Sequence, residues 1–484
     1  MIRGRFPDPG PAMSKPKNIV ICLCDQLRAS EVGCYGNDVI QTPNLDAMAE
    51  SGMRFANGVT NDPLCMPARS TVVSGQYART CCGQLNNTSV LFDPRRGVAG
   101  GWMMPPYPET GRPHLPDGTL AECLQESGYR TAAIGKWHIH SWPHDVGFDE
   151  YVIPRTQHCH LGQHYTKNGG PEFVPPGYTM DFELDEVGAF LQRVDSEPFF
   201  LFYNISPPHT PLFDIPDAYK TMYDPADMPI RPNCYVNGEL AGNEGVFRTY
   251  LYENKHYFYK LPHTLDLPDG FDLRDLYALY YGATSWVDSA VGRLHALLQE
   301  AGHADDTIVL FTSDHGDNLG SHGRWNKTLF YQESSSVPSI WHVPGVTDGT
   351  PADEQMVSHI DIMPTMLDLT GHDIPDHVQG RSVAPVLRGE TQVLADNHVF
   401  IESEIQAVGV RTPRYTFAKR FDRTTKSITR DGMRLWDTEQ DPFEMDNLAA
   451  LEPEHSAIAE LEELLDAWHA STPWMNIDQY VETS

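Results

Sequence analysis

The sequence has no long apolar run and few basic residues. No segment approaches the roughly 18–20 consecutive apolar residues that cross a bilayer, and no apolar stretch of signal length follows the basic N-terminal segment 1–17. Acidic residues outnumber basic residues 66 to 35, which gives a formal net charge of −31. Because nucleic acids and anionic membranes need a basic surface, neither is expected as a partner. We therefore predict a cytoplasmic protein that binds neither nucleic acid nor membrane.

Cysteine spacings typical of metal fingers are also absent. The nine cysteines are odd in number, and a cytoplasmic chain would keep them as thiols. The adjacent Cys81 and Cys82 are expected to be ordinary thiols near a helix end. With 40% hydrophobic and 21% charged residues, the composition is typical of a globular protein. The length allows one large and one small domain, or two or three ordinary domains.

Short apolar segments, each followed by polar residues and then a helical pattern, predict strands. They span 18–23, 129–134, 199–205 and 307–312. Near-continuous apolar strands separated by helices predict an α/β fold, with a large, mostly parallel sheet sandwiched by helices. Helices are predicted at 43–51, where Pro stands in the first turn and Gly follows the end, at 273–301, and from 364.

The pattern changes after residue 388. Short alternating strands at 398–404 and 407–421, followed by a polar helix at about 454–470, predict a small antiparallel sheet with a helix. We therefore predict an N-terminal extension (1–17), a large α/β domain (18–388) and a small C-terminal α+β subdomain (389–484). Insertions rich in Pro, Tyr and His, at 151–180 and about 219–272, are typical of lids or packing arms.

Each predicted strand of the large domain ends beside a residue that can bind a ligand. These residues are Asp25, Lys136, His209 and Asp314. In open α/β sheets, ligands bind outside the carboxyl ends of the strands, so we expect these side chains to share one site.

The acidic residues at two of these ends predict a metal site. A lone Asp after a strand is more often a helix cap. Here Asp25 is followed by Gln26 and Asp314 by His315, so each carboxylate has a second potential ligand beside it. Oxygen ligands suit a hard divalent cation.

A distinctive string, Cys-Met-Pro-Ala-Arg at 65–69, begins a predicted helix. Pro67 fits the first turn, which places Cys65 at a helix N-terminus, where the dipole and free N–H groups favour an anion. Arg69, one turn later, would project back toward the same spot. By itself the pattern fits a buried cysteine at a helix cap equally well.

This string, with the small residues and Gly75 that follow it, resembles the signature of the type I sulfatases of the alkaline phosphatase superfamily. In that family a separate enzyme oxidises the cysteine to formylglycine. The resemblance covers nearly the whole chain and includes the segments 25–26, 42–46, 135–138, 208–211 and 313–316 and C-terminal matches at 435–437, 441–442, 444 and 447–448. It implies an alkaline phosphatase-like fold and a sulfatase that hydrolyses an aryl, sugar or small alkyl sulfate monoester to alcohol and inorganic sulfate.

The resemblance also assigns roles to residues. The implied catalytic residues are Cys65, Arg69, Lys136, His138, His209 and Lys327, and the implied metal ligands are Asp25, Gln26, modified Cys65, Asp314 and His315. Lys327 is included on the resemblance alone, since its spacing fits an ordinary solvated lysine. Many members carry Asp and Asn at the positions of Gln26 and His315. A nitrogen ligand suits Mn²⁺ or Zn²⁺ better than Ca²⁺, yet Ca²⁺ is the first expectation, with Mn²⁺ as the alternative.

The nearest alternative is a phosphonate monoester hydrolase or phosphodiesterase of the same superfamily, with the same aldehyde nucleophile. Gln26 and His315, and Asn86 or Asn87 after the nucleophile helix, resemble that branch. Lys136 and His138 stand where it typically has Tyr and Thr, and a cationic site favours a sulfate monoester. Two further readings are a catalytically silent binding protein, although every chemical position is intact, and a secreted polysaccharide sulfatase, which would need a signal.

The first insertion carries an H-x-H-x-x-x-H pattern formed by His158, His160 and His164. Its loop-like, Gly-rich context favours a lid or substrate pocket over a second metal site. The pocket for the alcohol is expected from the insertions, at 102–116, 158–165 and 250–259, and the Tyr-rich arm could reach a neighbouring subunit in a homo-oligomer. The expected partners are a small-molecule sulfate ester and a formylglycine-generating enzyme.

Overall fold

A nine-stranded sheet forms the centre of the molecule. The computed structural model describes residues 17–82, 115, 118–139, 141–154, 158–194, 197–242, 269–403, 407–422 and 425–475. The strands of this sheet are β1 (Asn18–Asp25), β2 (Met53–Val59), β3 (Arg130–Gly135), β4 (Glu150–Ile153), β5 (Thr166–Lys167), β6 (Phe199–Pro208), β9 (Thr307–Ser313), β10 (Ser339–His342) and β11 (Ala352–Ser358). Their order in the sheet is β11-β2-β10-β9-β1-β6-β3-β4-β5. Of these strands, β5 and β10 run antiparallel to their neighbours and the others run in one direction.

Helices cover both faces of the sheet. In chain order they are α1 (Pro43–Ser51), α2 (Cys65–Ser74), α3 (Ala78–Cys81), α4 (Leu120–Glu126), α5 (Thr179–Arg193), α6 (Asp217–Lys220), α7 (Leu273–Glu300), α8 (Gln332–Ser335), α9 (Ile362–Thr370) and α10 (Ala384–Leu387). A short hairpin, β7 (Tyr235–Val236) with β8 (Glu239–Leu240), lies apart from the main sheet.

Strand β1 shows why both faces must be covered. Its residues are all buried, and successive side chains point to opposite faces. Cys22 packs in the core shared with α5 and α7, whereas Ile21 packs in the core shared with α2, α4 and α9. The predicted mostly parallel sheet between two helical layers is therefore confirmed.

A four-stranded antiparallel sheet forms the small C-terminal part. It consists of β12 (Val399–Ser403), β13 (Ala407–Arg411), β14 (Tyr415–Asp422) and β15 (Ser427–Asp437), followed by the helices α11 (Leu448–Leu451) and α12 (Ser456–Ser471). The predicted strand 407–421 is wrong as a single element, because the chain turns between β13 and β14. Only the end of β15, at 435–437, was expected, from the resemblance to the family's closing hairpin; the first half of the strand is exposed, has no apolar alternation and was not predicted.

The other predicted boundaries lie within a few residues of the observed ones, and helix 43–51 has the bounds of α1. The predicted division at residue 388 stays a prediction, and residues 1–16 of the extension lie outside the described residues. All nine cysteines are in the described part and are free thiols. In that same part, no helix is long and apolar enough to span a bilayer.

Candidate active site

The carboxyl ends of adjacent strands bring the predicted site residues together. In the sheet, β1 lies between β9 and β6, and β6 pairs with β3. Asp25 is the last residue of β1, Asp314 follows β9 and Lys136 follows β3. His209 follows β6 directly. All four residues are buried at this edge of the sheet, and the contacts described below bring their side chains together, as expected; their shared function stays a prediction.

Cys65 is the first residue of α2, as the sequence analysis expected. Leu64 before it is extended and Pro67 is compatible with the first turn, so the helix begins at the cysteine. The Cys65 thiol is buried, and its Sγ atom lies 2.8 Å from Lys327 Nζ and 3.1 Å from His315 Nε2. It therefore faces the edge of the sheet and does not pack as a capping group in the core.

Cys65 and three side chains around it form a group that could hold a metal ion. One ligand atom each from Asp25, Cys65, Asp314 and His315 lies within 4.8 Å of the others. His315 Nε2 is 3.5 Å from Asp25 Oδ1 and 3.5 Å from Asp314 Oδ1. The donor set of two carboxylates and one imidazole is suitable for a divalent cation.

The tautomer of His315 also fits metal binding. Its Nδ1 lies 2.8 Å from the Gly316 carbonyl oxygen, which can only accept, so Nδ1 carries the proton. Burial lowers the pKa of His315 well below its ordinary value, and the nearby Lys327 lowers it further. The neutral ring therefore directs a lone pair from Nε2 toward Cys65 and the carboxylates, as metal-binding histidines do.

Gln26 is held with its amide oxygen toward the site. Its backbone adopts a φ of 69° directly after β1, and its Nε2 donates to Asp317 Oδ2 at 2.5 Å. Its Oε1 lies 3.4 Å from Lys327 Nζ. Because Asp317 accepts from the amide nitrogen, the oxygen is the atom left to face the cluster. The sequence analysis did not identify Asp317, which lies on a loop without a distinguishing pattern.

Arg69 connects the two acidic strand ends with β3 and β6. Its Nε donates to Asp314 Oδ2 at 2.9 Å, and its Nη2 lies 3.5 Å from Asp25 Oδ2. Its Nη1 donates to the Lys136 carbonyl oxygen at 2.8 Å and to Asn204 Oδ1 at 2.9 Å. The guanidinium thus fixes both carboxylates, and Asn204, inside an apolar strand, is a supporting residue that the sequence analysis missed.

Cations surround the space next to Cys65. Lys136 donates from Nζ to the Asp25 carboxylate, and Lys327 approaches from the loop after β9. Burial opposes the ionisation of Asp314, but neighbouring positive charges, Arg69 among them, outweigh it and hold the pKa of Asp314 below its ordinary value. Burial, together with the Lys327 charge, lowers the pKa of the Lys136 ammonium. An anion placed among these cations would relieve their mutual repulsion.

Histidines close one side of this space. His138 adopts a φ of 46° after β3, and His209 has its Nδ1 2.7 Å from the Thr210 carbonyl oxygen. His158 stacks on His209, with ring centroids 4.0 Å apart. Burial, followed by nearby positive charges, lowers the pKa of both His138 and His209. His158 was expected in a lid or in the pocket for the alcohol, and its contact with His209 was not predicted.

The three insertion histidines separate in space. His158 lies in the site, His160 packs its buried ring edge-on against Trp286, and His164 is exposed near Glu172. Within the described ranges, neither His160 nor His164 belongs to a group of three or more potential metal ligands. Asn86, Asn87 and segment 250–259 lie outside the described residues, as does 102–116 except for Leu115.

Cys65, at a helix N-terminus, belongs to the group Asp25, Cys65, Asp314 and His315, here called the metal-type cluster, on the carboxyl edge of a mostly parallel sheet. This arrangement is suitable for hydrolysis of an anionic ester. The model of the sulfatase family matches residues 17–372, and a model described as N-sulphoglucosamine sulphohydrolase, C-terminal, matches residues 320–471. The chain therefore belongs to the sulfatase family and is a sulfuric ester hydrolase.

Individual relatives are distant but extend over most of the chain. The N-acetylglucosamine-6-O-sulfatase of Bacteroides thetaiotaomicron is 26% identical over 497 residues, which cover 90% of this chain and 83% of the relative. The arylsulfatase of Clostridium perfringens is 28% identical over 488 residues, which cover 93% of each chain.

Solved structures establish the same fold. A protein solved in complex with its substrate D-glucosamine-2-N,6-O-disulfate superposes with a TM-score of 0.76 at 23% identity, over 97% of this chain and 99% of the other. The phosphonate monoester hydrolase of Silicibacter pomeroyi superposes with a TM-score of 0.69 at 22% identity, over 94% of this chain and 96% of the other.

Proposed function

We propose that this sulfatase hydrolyses a sulfate monoester at a formylglycine made from Cys65, beside one divalent metal ion. The observation that carries the proposal is the position of Cys65 Sγ. It belongs to the metal-type cluster and also lies 2.8 Å from Lys327 Nζ, so a group at this position can contact both a metal and a bound anion.

The metal would be held by Asp25, Gln26, Asp314, His315 and the modified residue 65, with Ca²⁺ as the first choice and Mn²⁺ as the second. When bound, it would supply positive charge that favours an ionised hydroxyl on the nucleophile. The buried carboxylates and the Nε2 lone pair of His315 support this assignment.

The hydrated aldehyde at position 65 would carry two hydroxyls. One, held near Arg69, attacks the sulfur in line with the leaving alcohol. Lys136 and Lys327 would stabilise the charge on the non-bridging oxygens, because Lys136 Nζ lies beside the Asp25 carboxylate and Lys327 Nζ beside Cys65 Sγ. The second hydroxyl then gives its proton to His138 and sulfate leaves as the aldehyde re-forms. A serine or cysteine ester could not release sulfate in this way.

His209 is the proposed proton donor to the leaving alcohol, together with Lys327. Its Nδ1 is committed to the Thr210 carbonyl oxygen, so the Nε2 edge remains for the substrate. Burial and the charges of Lys327 and Lys136 lower the pKa of free His209, but a bound anion would offset those charges and favour the protonated ring.

The proposed substrates are sugar or aryl sulfates. The names of the relatives support this class, since one is an N-acetylglucosamine-6-O-sulfatase and another an arylsulfatase. The second candidate is a phosphonate monoester, supported by Gln26 and His315 and by the likeness to a phosphonate monoester hydrolase structure. Lys136 and His138 at the anion position favour the sulfate ester.

The test uses protein co-expressed with a formylglycine-generating enzyme. Initial rates are measured on 4-nitrophenyl sulfate and on 4-nitrophenyl phenylphosphonate. The fraction of aldehyde at position 65 is determined from the peptide mass of the same sample. We expect a preference for sulfate that scales with the aldehyde fraction. Cys65→Ala should abolish activity, whereas Cys81→Ala, which changes a buried cysteine of α3, is the matched control. A preference for phosphonate, or full activity of Cys65→Ala, would contradict the proposal.

A further inference from the structure

His158 lies inside the candidate active site although it belongs to the first insertion. Its ring is 7% exposed and stacks on His209, with centroids 4.0 Å apart and ring planes 15° apart. One of its ring nitrogens lies within 4.8 Å of a ring nitrogen of His209 and of a carboxylate oxygen of Asp25. The ring of His138 lies edge-on to it, at 6.0 Å.

The backbone around His158 is anchored to the segment that carries His209. Asp214, five residues after His209, accepts from the backbone N–H of His160 at 2.9 Å and from that of Leu161 at 3.3 Å. The Thr179 N–H donates to the His160 carbonyl oxygen at 3.0 Å, where α5 begins. The insertion and the end of β6 therefore form one unit that holds the stacked rings together.

The geometry does not suit a metal ion shared by the two stacked rings. The lone pair of an imidazole nitrogen lies in the plane of its ring. Since the planes are 15° apart and the centroids 4.0 Å apart, the lone pairs run side by side and do not meet at one point. The positive charges of Lys136 and Lys327 also act on His158, which further disfavours a second cation there.

We propose that His158 is a positioning residue that fixes the ring plane of His209. The bond from Nδ1 to the Thr210 carbonyl oxygen fixes one edge of the His209 ring, but a single hydrogen bond permits the ring to tilt about it. Stacking on a second buried ring removes that freedom, so Nε2 keeps its direction toward the leaving-group oxygen. This inference rests on the proton-donor role proposed above for His209.

The consequence is that the rate loss in a His158 variant should depend on the leaving alcohol. A poor leaving group needs the proton from His209 in the transition state, whereas a good one such as 4-nitrophenolate leaves with little help. Misalignment of His209 should therefore slow the hydrolysis of esters of weakly acidic alcohols selectively. A role in folding alone, or in holding the sulfate group, would lower the rates for all leaving groups together.

The experiment measures kcat and KM over a series of aryl sulfates, from 4-nitrophenyl to phenyl and 4-methoxyphenyl, with modified and folded protein. The variants are His158→Ala, His158→Phe, His158→Leu, His209→Ala and the double variant His158→Ala/His209→Ala. His164→Ala is the matched control, since this residue lies on the same insertion but is exposed. Thermal midpoints and aldehyde content are recorded for each variant.

We expect His158→Ala to lower kcat about 10-fold or more on phenyl sulfate and less than about 3-fold on 4-nitrophenyl sulfate. His158→Phe, which retains an aromatic face, should recover most of the loss, whereas His158→Leu should not. The double variant should match His209→Ala, because a residue that acts through His209 has no effect without it. If the Ala variant fails to fold, the comparison of Phe with Leu still decides the question.

Equal losses of kcat on all leaving groups would overturn the inference. A double variant that is slower than His209→Ala, by the same factor by which His158→Ala is slower than the parent, would also overturn it. In the second case His158 would act independently of His209. If His209→Ala itself shows no leaving-group dependence, the proposed role of His209 fails. A normal His158→Ala beside a leaving-group-dependent His209→Ala would overturn this inference and leave the proposed function intact.

Discussion

Lys327 Nζ lies 2.8 Å from Cys65 Sγ, although 262 positions separate the two residues in the sequence. The same ammonium lies 3.4 Å from Gln26 Oε1. Lys327 therefore contacts both the proposed nucleophile and Gln26, a proposed metal ligand.

Replacing Lys327 with Ala should lower kcat by about 10²–10³, because one preorganised cation at the developing negative charge is lost. Lys327→Arg should retain part of the activity. Lys220→Ala, which removes a lysine paired with Asp217 away from the site, is the control. Steady-state kinetics on 4-nitrophenyl sulfate measure the effect. A Lys327→Ala enzyme within about threefold of the parent would contradict this role.

Replacing Arg69 with Ala should lower kcat about a thousandfold or more and change KM less, since the guanidinium holds the carboxylates of Asp25 and Asp314 in place. The measurement requires purified protein with a known aldehyde content. Arg130→Ala, which breaks an exposed ion pair with Glu150, serves as the control. A near-normal kcat for Arg69→Ala would contradict both the site and the proposed function.

Removing the metal with a chelator should abolish activity and lower the thermal midpoint, because the buried carboxylates of Asp25 and Asp314 lose a counter-charge. Adding Ca²⁺ should restore activity better than adding Mn²⁺. His315→Asn replaces a nitrogen ligand with an oxygen ligand and should raise the preference for Ca²⁺ over Mn²⁺. Metal content per chain and activity are measured together. Full activity in metal-free protein would contradict the prediction.

The choice between sulfate and phosphonate should depend on Lys136 and His138. Exchanging them in the double variant Lys136→Tyr/His138→Thr removes two groups that the proposed mechanism assigns to the sulfate ester, and the ratio of sulfate to phosphonate activity should fall about 10-fold or more. Rates for the two 4-nitrophenyl esters, on the same sample, give that ratio. An unchanged ratio would show that the preference has another origin, with Gln26 and His315 the next residues to exchange.

Stability should fall with rising pH through the titration of Glu183. This buried residue of α5 accepts from Tyr165 Oη at 2.6 Å, and burial raises its pKa from 4.5 to about 8. Between these values the native state binds more protons than the unfolded state. The contribution of the neutral carboxyl is therefore complete below pH 4.5 and is lost as the pH rises through about 8.

Glu183→Gln removes this titration. The variant should match the parent near pH 5 and exceed it above pH 8, by an amount on the order of a few kcal/mol. Thermal midpoints measured from pH 5 to 9 test this, with Glu186→Gln as the control, because Glu186 lies on the same helix in an exposed ion pair with Lys167. Parallel curves for the parent and Glu183→Gln would contradict the prediction.

Local patterns in the sequence were sufficient for the central strands, for α1 and α7, and for the start of α2 at Cys65. Burial on both faces of β1 leaves an unbroken apolar run, and Pro67 with Gly75 defines a helix that begins at Cys65 and ends before a residue with a φ of 64°. Such signals depend on neighbouring residues only. They also placed Asp25, Lys136, His209 and Asp314 at strand ends, where the structure brings them to the same edge of the sheet.

The remaining features depend on contacts between distant segments. Strand β10, antiparallel between β2 and β9, and the half-exposed β15 have no local signature that separates them from loops. Lys327 and His158 lie on irregular segments, and only tertiary contacts bring them to Cys65 and His209. The sequence determined which groups are present and which end of the sheet they occupy. The tertiary structure decided which of them meet, because the chemistry here depends on distances of a few ångströms between residues far apart in the chain.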